Sequence, residues 1–149
     1  MAKTSSSLTS RQTAKVALFK DDGKVLVLRD KRGHWDFPGG EKDKKDSNVE
    51  ACAQRETREE TGLNIKTSKL KPIGKQVIEG KLRSLFTASV KGNPKPKLSS
   101  EHTDYKWVEP TALPSKKMKP QAKELLGYCR KKVTPKKKTP KEARLILMA

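Results

Sequence analysis

Three glutamates, Glu56, Glu59 and Glu60, stand at i, i+3 and i+4 in the run Arg55-Glu56-Thr57-Arg58-Glu59-Glu60-Thr61-Gly62. On a helix spanning residues 47–61 they share one face. Further back that face carries Val49, Cys52 and Ala53, so the acids prolong the side of the helix that points inward. Carboxylates held there need a positive partner. A hard divalent cation supplies one: Mg2+ takes oxygen ligands at roughly 2.0–2.1 Å, and Mn2+ is the alternative ion. The competing reading is a salt-bridged surface helix, since Arg55 and Glu59 also stand four residues apart. The preceding Phe37-Pro38-Gly39-Gly40 weighs against it. Proline restricts φ, and the glycines let the backbone turn tightly and bring a Gly39 or Gly40 carbonyl toward the same cation. Ser47 or Asp46 is placed to cap the start of the helix, and Gly62 to end it.

These residues resemble a known family. Trp35-x-Phe37-Pro38-Gly39-Gly40 followed by Arg55-Glu56-x-x-Glu59-Glu60-x-Gly62-Leu63 is similar to the Nudix box and covers about a fifth of the chain. The interval from Gly40 to Arg55 is one residue longer than in the family pattern, Thr57 replaces a bulky apolar residue, and Ser47 stands where an early glutamate belongs. In the family that glutamate supports the arginine of the box; Asp46, Asp43 and Glu41 are the acids here that can take its place. The resemblance implies an α/β (α+β) fold, an α/β/α sandwich with a mixed β-sheet and flanking helices. It also implies a Mg2+-dependent pyrophosphohydrolase acting on a nucleoside diphosphate joined to another group. Glu56, Glu59, Glu60 and a carbonyl of Gly39 or Gly40 would hold the metal, with Arg55 organising the glutamates through its planar fork of donors.

The rest of the chain accommodates that fold. Apolar runs at 13–20 and 24–29, separated by Asp21-Asp22-Gly23, read as a hairpin whose strands are covered on both faces. A second hairpin is expected over 69–79 and 82–90, turning at Glu79-Gly80-Lys81, with its lysines toward solvent. A loop over 91–100 leads to Glu101-His102 and a short strand Tyr105-Lys106-Trp107-Val108, which resembles a stretch found downstream of the Nudix box. By that resemblance Glu101 joins Glu56 and Arg55 in the catalytic set, as a further metal ligand or the general base; the alternative is a solvated loop acid. Arg29, Trp35 and Phe37 are the expected substrate contacts. Trp35 would be a stacking wall for a base, or else an aromatic of the core beside Phe37. A helix over 119–131, with Ala122, Leu125, Leu126 and Cys129 at helical spacing, should dock on the sheet.

Charge narrows the partner. Thirty-five Lys and Arg against seventeen Asp and Glu give a net charge of +18, which favours an anionic partner. From Ser115 onward there are twelve Lys and Arg against two Glu, with two Thr-Pro-Lys repeats and no bulky residue between them. The chain therefore divides into a leader at 1–11, a domain at 12–131 and a basic arm at 132–149. In that arm region Lys131, Lys132, Lys136, Lys137 and Lys138 are expected to track a phosphate backbone, or merely to solubilise the chain. The substrate expected from box and arm together is a nucleoside triphosphate or a 5′-phosphorylated RNA end. A weakly catalytic scaffold that binds nucleic acid is the alternative. Two cysteines far apart and without partners suit a reducing, cytoplasmic setting, and no apolar run is long enough to span a membrane.

Overall fold

The structure, a computed structural model, describes residues 11–111 together with Met118, Lys119, Ala122 and Lys123. Strands β1 (Gln12–Phe19) and β2 (Val25–Asp30) flank the expected turn, closed by Lys20 N to Lys24 O at 3.0 Å. They face each other only at their base, Phe19 opposite Val25, and then part. The reason lies in their two-sided burial. Val25 and Val27 point to one apolar cluster, Leu26 and Leu28 to another, and β1 divides likewise into Ala17 against Ala14, Val16 and Leu18. Such strands sit inside a sheet, with partners on both edges.

Those partners come from later in the chain. Strand β6 (Lys81–Ser89) runs parallel to β1 over its whole length, and β5 (Lys71–Ile78) closes that side as the antiparallel partner of β6. The turn between β5 and β6 has Glu79 at φ 51° and Gly80 at φ 75°, the left-handed pair that a two-residue hairpin loop demands. Strand β7 (His102–Val108) pairs antiparallel with β2, three residues longer at its start than the sequence indicates. In the gap where β1 and β2 separate lie β3 (Trp35–Asp36), paired with β2, and β4 (Gly39–Glu41), paired with β1. The Phe-Pro-Gly-Gly turn is thereby fixed within a seven-stranded mixed sheet.

Helix α1 (Val49–Thr61) packs on one face of the sheet, burying Cys52 and Ala53 against Val16, Leu18, Leu26 and Phe86. Its cap differs from expectation. Asn48 Oδ1, not a side chain of Ser47 or Asp46, accepts from Ala51 N at 2.8 Å, because Asp46 is engaged elsewhere. Gly62 ends the helix at φ 72°, its N–H bonded to Arg58 O. On the opposite face Met118 and Ala122 cover Trp35, Phe37 and Leu85, giving the layered arrangement expected. The remainder of the segment 119–131 and the whole arm at 132–149 lie outside the described residues. Among the described residues no helix is long and apolar enough to cross a membrane.

Candidate active site

The site begins with the backbone of Gly39. Its φ is 143°, and a Cβ there would run into the carbonyl oxygen of Ala14 on β1; only glycine lets the turn lie against the strand. In that position the Gly39 N–H donates to Glu60 Oε1 at 2.9 Å. Glu60 is buried at 6% exposure, and burial pushes its carboxyl up to about 7, offset in part by the Gly39 bond and by the charge of Lys15. Gly40 leaves room for Glu56, whose carboxyl carbon would stand 2.7 Å from any Cβ added there. Burial also raises the Glu56 carboxyl, against the pull of Arg55. Sequence spacing alone put these acids on an inward face, and both are half-buried or buried there.

Arg55 ties the cluster together. Its Nε and one terminal nitrogen form a fork with Asp46, both bonds at 2.9 Å. The terminal nitrogen of that fork also donates to the Glu41 carbonyl at 3.1 Å, and the other terminal nitrogen donates to Glu56 at 2.9 Å and to Glu59 at 3.2 Å. Of the three acids able to replace the early glutamate, Asp46 is the one that does so. Its carboxyl is held below the usual range, first by the Arg55 bonds, and it also accepts from Asp43 N at 3.0 Å. The arginine is held protonated still more firmly than usual by Asp46. Glu59, with 52% of its side chain exposed, is the outermost of the three glutamates.

Glu101 arrives from the opposite side. It precedes β7, and one of its carboxylate oxygens lies with a Glu60 oxygen and a His102 ring nitrogen in a set whose members are all within 4.8 Å of one another. Chain segments forty residues apart thus converge on one cleft, and Glu101 is exposed to it rather than lost in solvent away from it. The donor set fits a divalent cation: Glu60 is buried with a single backbone N–H as partner for one oxygen, and a Glu101 oxygen and a His102 ring nitrogen lie within reach of it.

Other expected contacts are placed differently. Trp35 and Phe37 are 6% and 2% exposed and belong to the apolar cluster on the far face of the sheet, with Lys106 Nζ 5.2 Å from the Trp35 ring centre. They support the turn as core residues and offer no open face to a base. Arg29 folds its guanidinium back over the Gly33 turn. The Gly39 carbonyl lies 3.5 Å from Lys15 Nζ, and the Gly40 carbonyl accepts from Cys52 Sγ at 3.4 Å. Lys131, Lys132, Lys136, Lys137 and Lys138 are outside the described residues.

Two residues of this site escaped sequence reasoning. Lys15, on a strand that otherwise reads as apolar, is an almost buried ammonium 3.0 Å from Asp36 and 3.2 Å from the Phe37 carbonyl. A lone charge in an apolar run was the available signal. His102 is the other, adjacent to the acid that drew attention.

The sequence model of the NUDIX domain matches residues 9–129. A "MutT-like protein" of Streptomyces ambofaciens is 30% identical over 92 residues, 61% of this chain and 58% of its own; the chain thus matches little more than half the length of that relative. Among solved structures, the MutT protein of Methanosarcina mazei Go1 superimposes with a TM-score of 0.66 at 22% identity, covering 86% of this chain and 96% of that one. The C. elegans Ap4A hydrolase, in a binary complex, gives 0.66 at 22% identity, covering 82% and 96%. At such identities the solved structures establish the likeness of fold.

Proposed function

This chain belongs to the NUDIX domain family, and from that premise we propose that it is a pyrophosphohydrolase that cleaves a diphosphate linkage in a nucleoside diphosphate joined to another group, using Mg2+. The observation that carries the proposal is the convergence of Glu60 with Glu101 beside Glu56 and Glu59, around the fixed Gly39 turn. Glu56, Glu59, Glu60 and the Gly39 carbonyl would hold the ion, which when bound supplies charge neutralisation for phosphate oxygens and acidifies a water. Arg55 orients Glu56 and Glu59 and, anchored by Asp46, keeps them from turning outward. Glu101, exposed beside Glu60, would be a further metal ligand or the group that takes a water proton. Gly39 N–H holds Glu60 in one orientation.

The substrate is a nucleoside triphosphate or a 5′-phosphorylated RNA end. The net charge of +18 supports a polyanion, and the domain at 12–131 would act on its terminus while the arm at 132–149 grips the strand beyond it. The C. elegans protein of similar fold, an Ap4A hydrolase, is named for cleavage of a linkage of the same class. One observation favours a second reading, a weakly catalytic scaffold that binds nucleic acid: the Lys15 ammonium stands near the carbonyl expected to face the metal.

The test is phosphate or pyrophosphate release from nucleoside triphosphates, dinucleoside polyphosphates, ADP-ribose and 5′-triphosphorylated RNA, with and without Mg2+. The parent is run beside Glu59→Gln and Glu60→Gln. Loss of about 100-fold or more in turnover, with unchanged circular dichroism, is the expected result for both variants. Retained activity in both removes the site, and silence of the parent across the panel with salt-sensitive RNA binding selects the second reading.

A further inference from the structure

The hydrolytic reading employs the two carboxylates of the Glu60, Glu101 and His102 set and leaves the imidazole without a task. His102 is nevertheless held firmly. It opens β7 opposite Asp30, beside an irregularity in the pairing between Arg29 and Asp30, and its N–H bonds Ser99 O at 3.3 Å. Irregular pairing of this kind re-aims a side chain relative to the regular ladder. Its Nδ1 is shielded from solvent, and no described residue bonds it. Asp30, its opposite number, is already engaged: Oδ1 accepts from Arg32 N and His34 N, and Oδ2 lies 3.4 Å from Lys119 Nζ. A shielded ring nitrogen without a partner is destabilising unless something else occupies it.

We propose that His102 supplies a nitrogen ligand to a divalent-ion site completed by Glu60 and Glu101, and that this donor makes the site prefer a borderline transition ion of the Mn2+ class over Mg2+. The proposal rests on reading the cleft as a divalent-cation site. Its chemistry is that of the donor set. Mg2+ favours all-oxygen octahedra and parts reluctantly with its waters, whereas imidazole suits the later first-row ions, and two carboxylates with one imidazole fall between.

Pulsed electron paramagnetic resonance of the full-length protein loaded with Mn2+ alone tests it. The expected spectrum carries the modulation of a directly bound imidazole nitrogen. In His102→Gln that modulation disappears, Mn2+ binds about 10-fold more weakly or worse, and the ratio of affinities moves toward Mg2+. Bound Mn2+ without nitrogen coupling, no bound Mn2+, or a His102→Gln protein that binds Mn2+ as tightly as the parent overturns the proposal. The spectrum of the parent decides even where the variant does not fold. Mg2+-dependent hydrolysis without nitrogen coupling would remove His102 and leave the hydrolase reading intact. Nitrogen coupling without hydrolysis of any substrate would do the reverse.

Discussion

Thr57 occupies the position where the box calls for a bulky apolar residue, and the structure makes the departure concrete. It is fully buried on α1, and its hydroxyl is without a partner among the described residues. Thr57→Val keeps the branched shape and removes the stranded hydroxyl, so stability should rise by about 1 kcal/mol, read as a higher melting temperature with activity unchanged. Glu60 predicts a different response. In the metal-free protein its carboxyl titrates near 7 against an ordinary 4.5, so the folded state holds the proton more tightly than the unfolded chain. Its contribution is therefore complete below the ordinary value and is lost as pH rises toward 7. Metal-free protein should melt earlier at about pH 8 than at about pH 5.5, and a saturating divalent ion should raise the melting temperature more at the higher pH. Asp46, depressed by Arg55, works in the opposite direction, its contribution present above about pH 4 and lost below. An equal gain from metal at both pH values would mean that Glu60 is not where the ion binds.

At the scale of elements, the Gly39-Gly40 pair separates two kinds of damage. Gly39→Ala places a methyl against the Ala14 backbone at a φ that side chains rarely adopt; neither can yield, so thermal melting should show a loss of several kcal/mol or no folding at all. Gly40→Ala meets only the movable end of Glu56. The variant should fold, with a small drop in melting temperature, and lose metal affinity as that carboxylate is pushed aside. Titration calorimetry with Mn2+ measures the difference. The same elements show what was legible beforehand. Helix α1, its Gly62 end and the inward placement of Glu56 and Glu60 follow from spacing, because helical period and glycine chemistry are local; Glu59, expected on the same face, is exposed. So does the hairpin of β5 and β6. The capping by Asn48 did not follow, because Asp46, an equally good capping residue, is drawn to Arg55 by a contact nine residues away. The parting of β1 from β2 was hidden for a similar reason: Asp-Asp-Gly specifies the turn, while the strands' partners are chosen by apolar faces more than fifty residues distant. Trp35 gave two readings because an aromatic beside a glycine turn serves a core or a ligand equally, and only the position of Met118 and Ala122 decides for the core.

At the scale of the whole molecule, an acidic cluster sits in a chain of net charge +18. Arg55 and Lys15 offset the glutamates locally, and the remaining excess of positive charge attracts an anion. Deleting residues 134–149 should leave hydrolysis of a free nucleoside triphosphate unchanged while weakening binding to 5′-triphosphorylated RNA and flattening its salt dependence, measured by fluorescence anisotropy at several salt concentrations. Unchanged RNA affinity would reduce the arm to a solubilising tail.

The parting of the first hairpin also bears on when the protein can work. Because β1 is completed by β6 and β2 by β7, the earliest strands wait for the latest before either sheet edge is satisfied, and Glu101 and His102 ride in on the last of them. A polypeptide still being synthesised holds the whole Nudix box yet lacks the opposite wall of its cleft. Until β7 docks on β2, Glu101 and His102 have no fixed place opposite Glu60, so the two sides of the candidate site come together only as that strand joins the sheet.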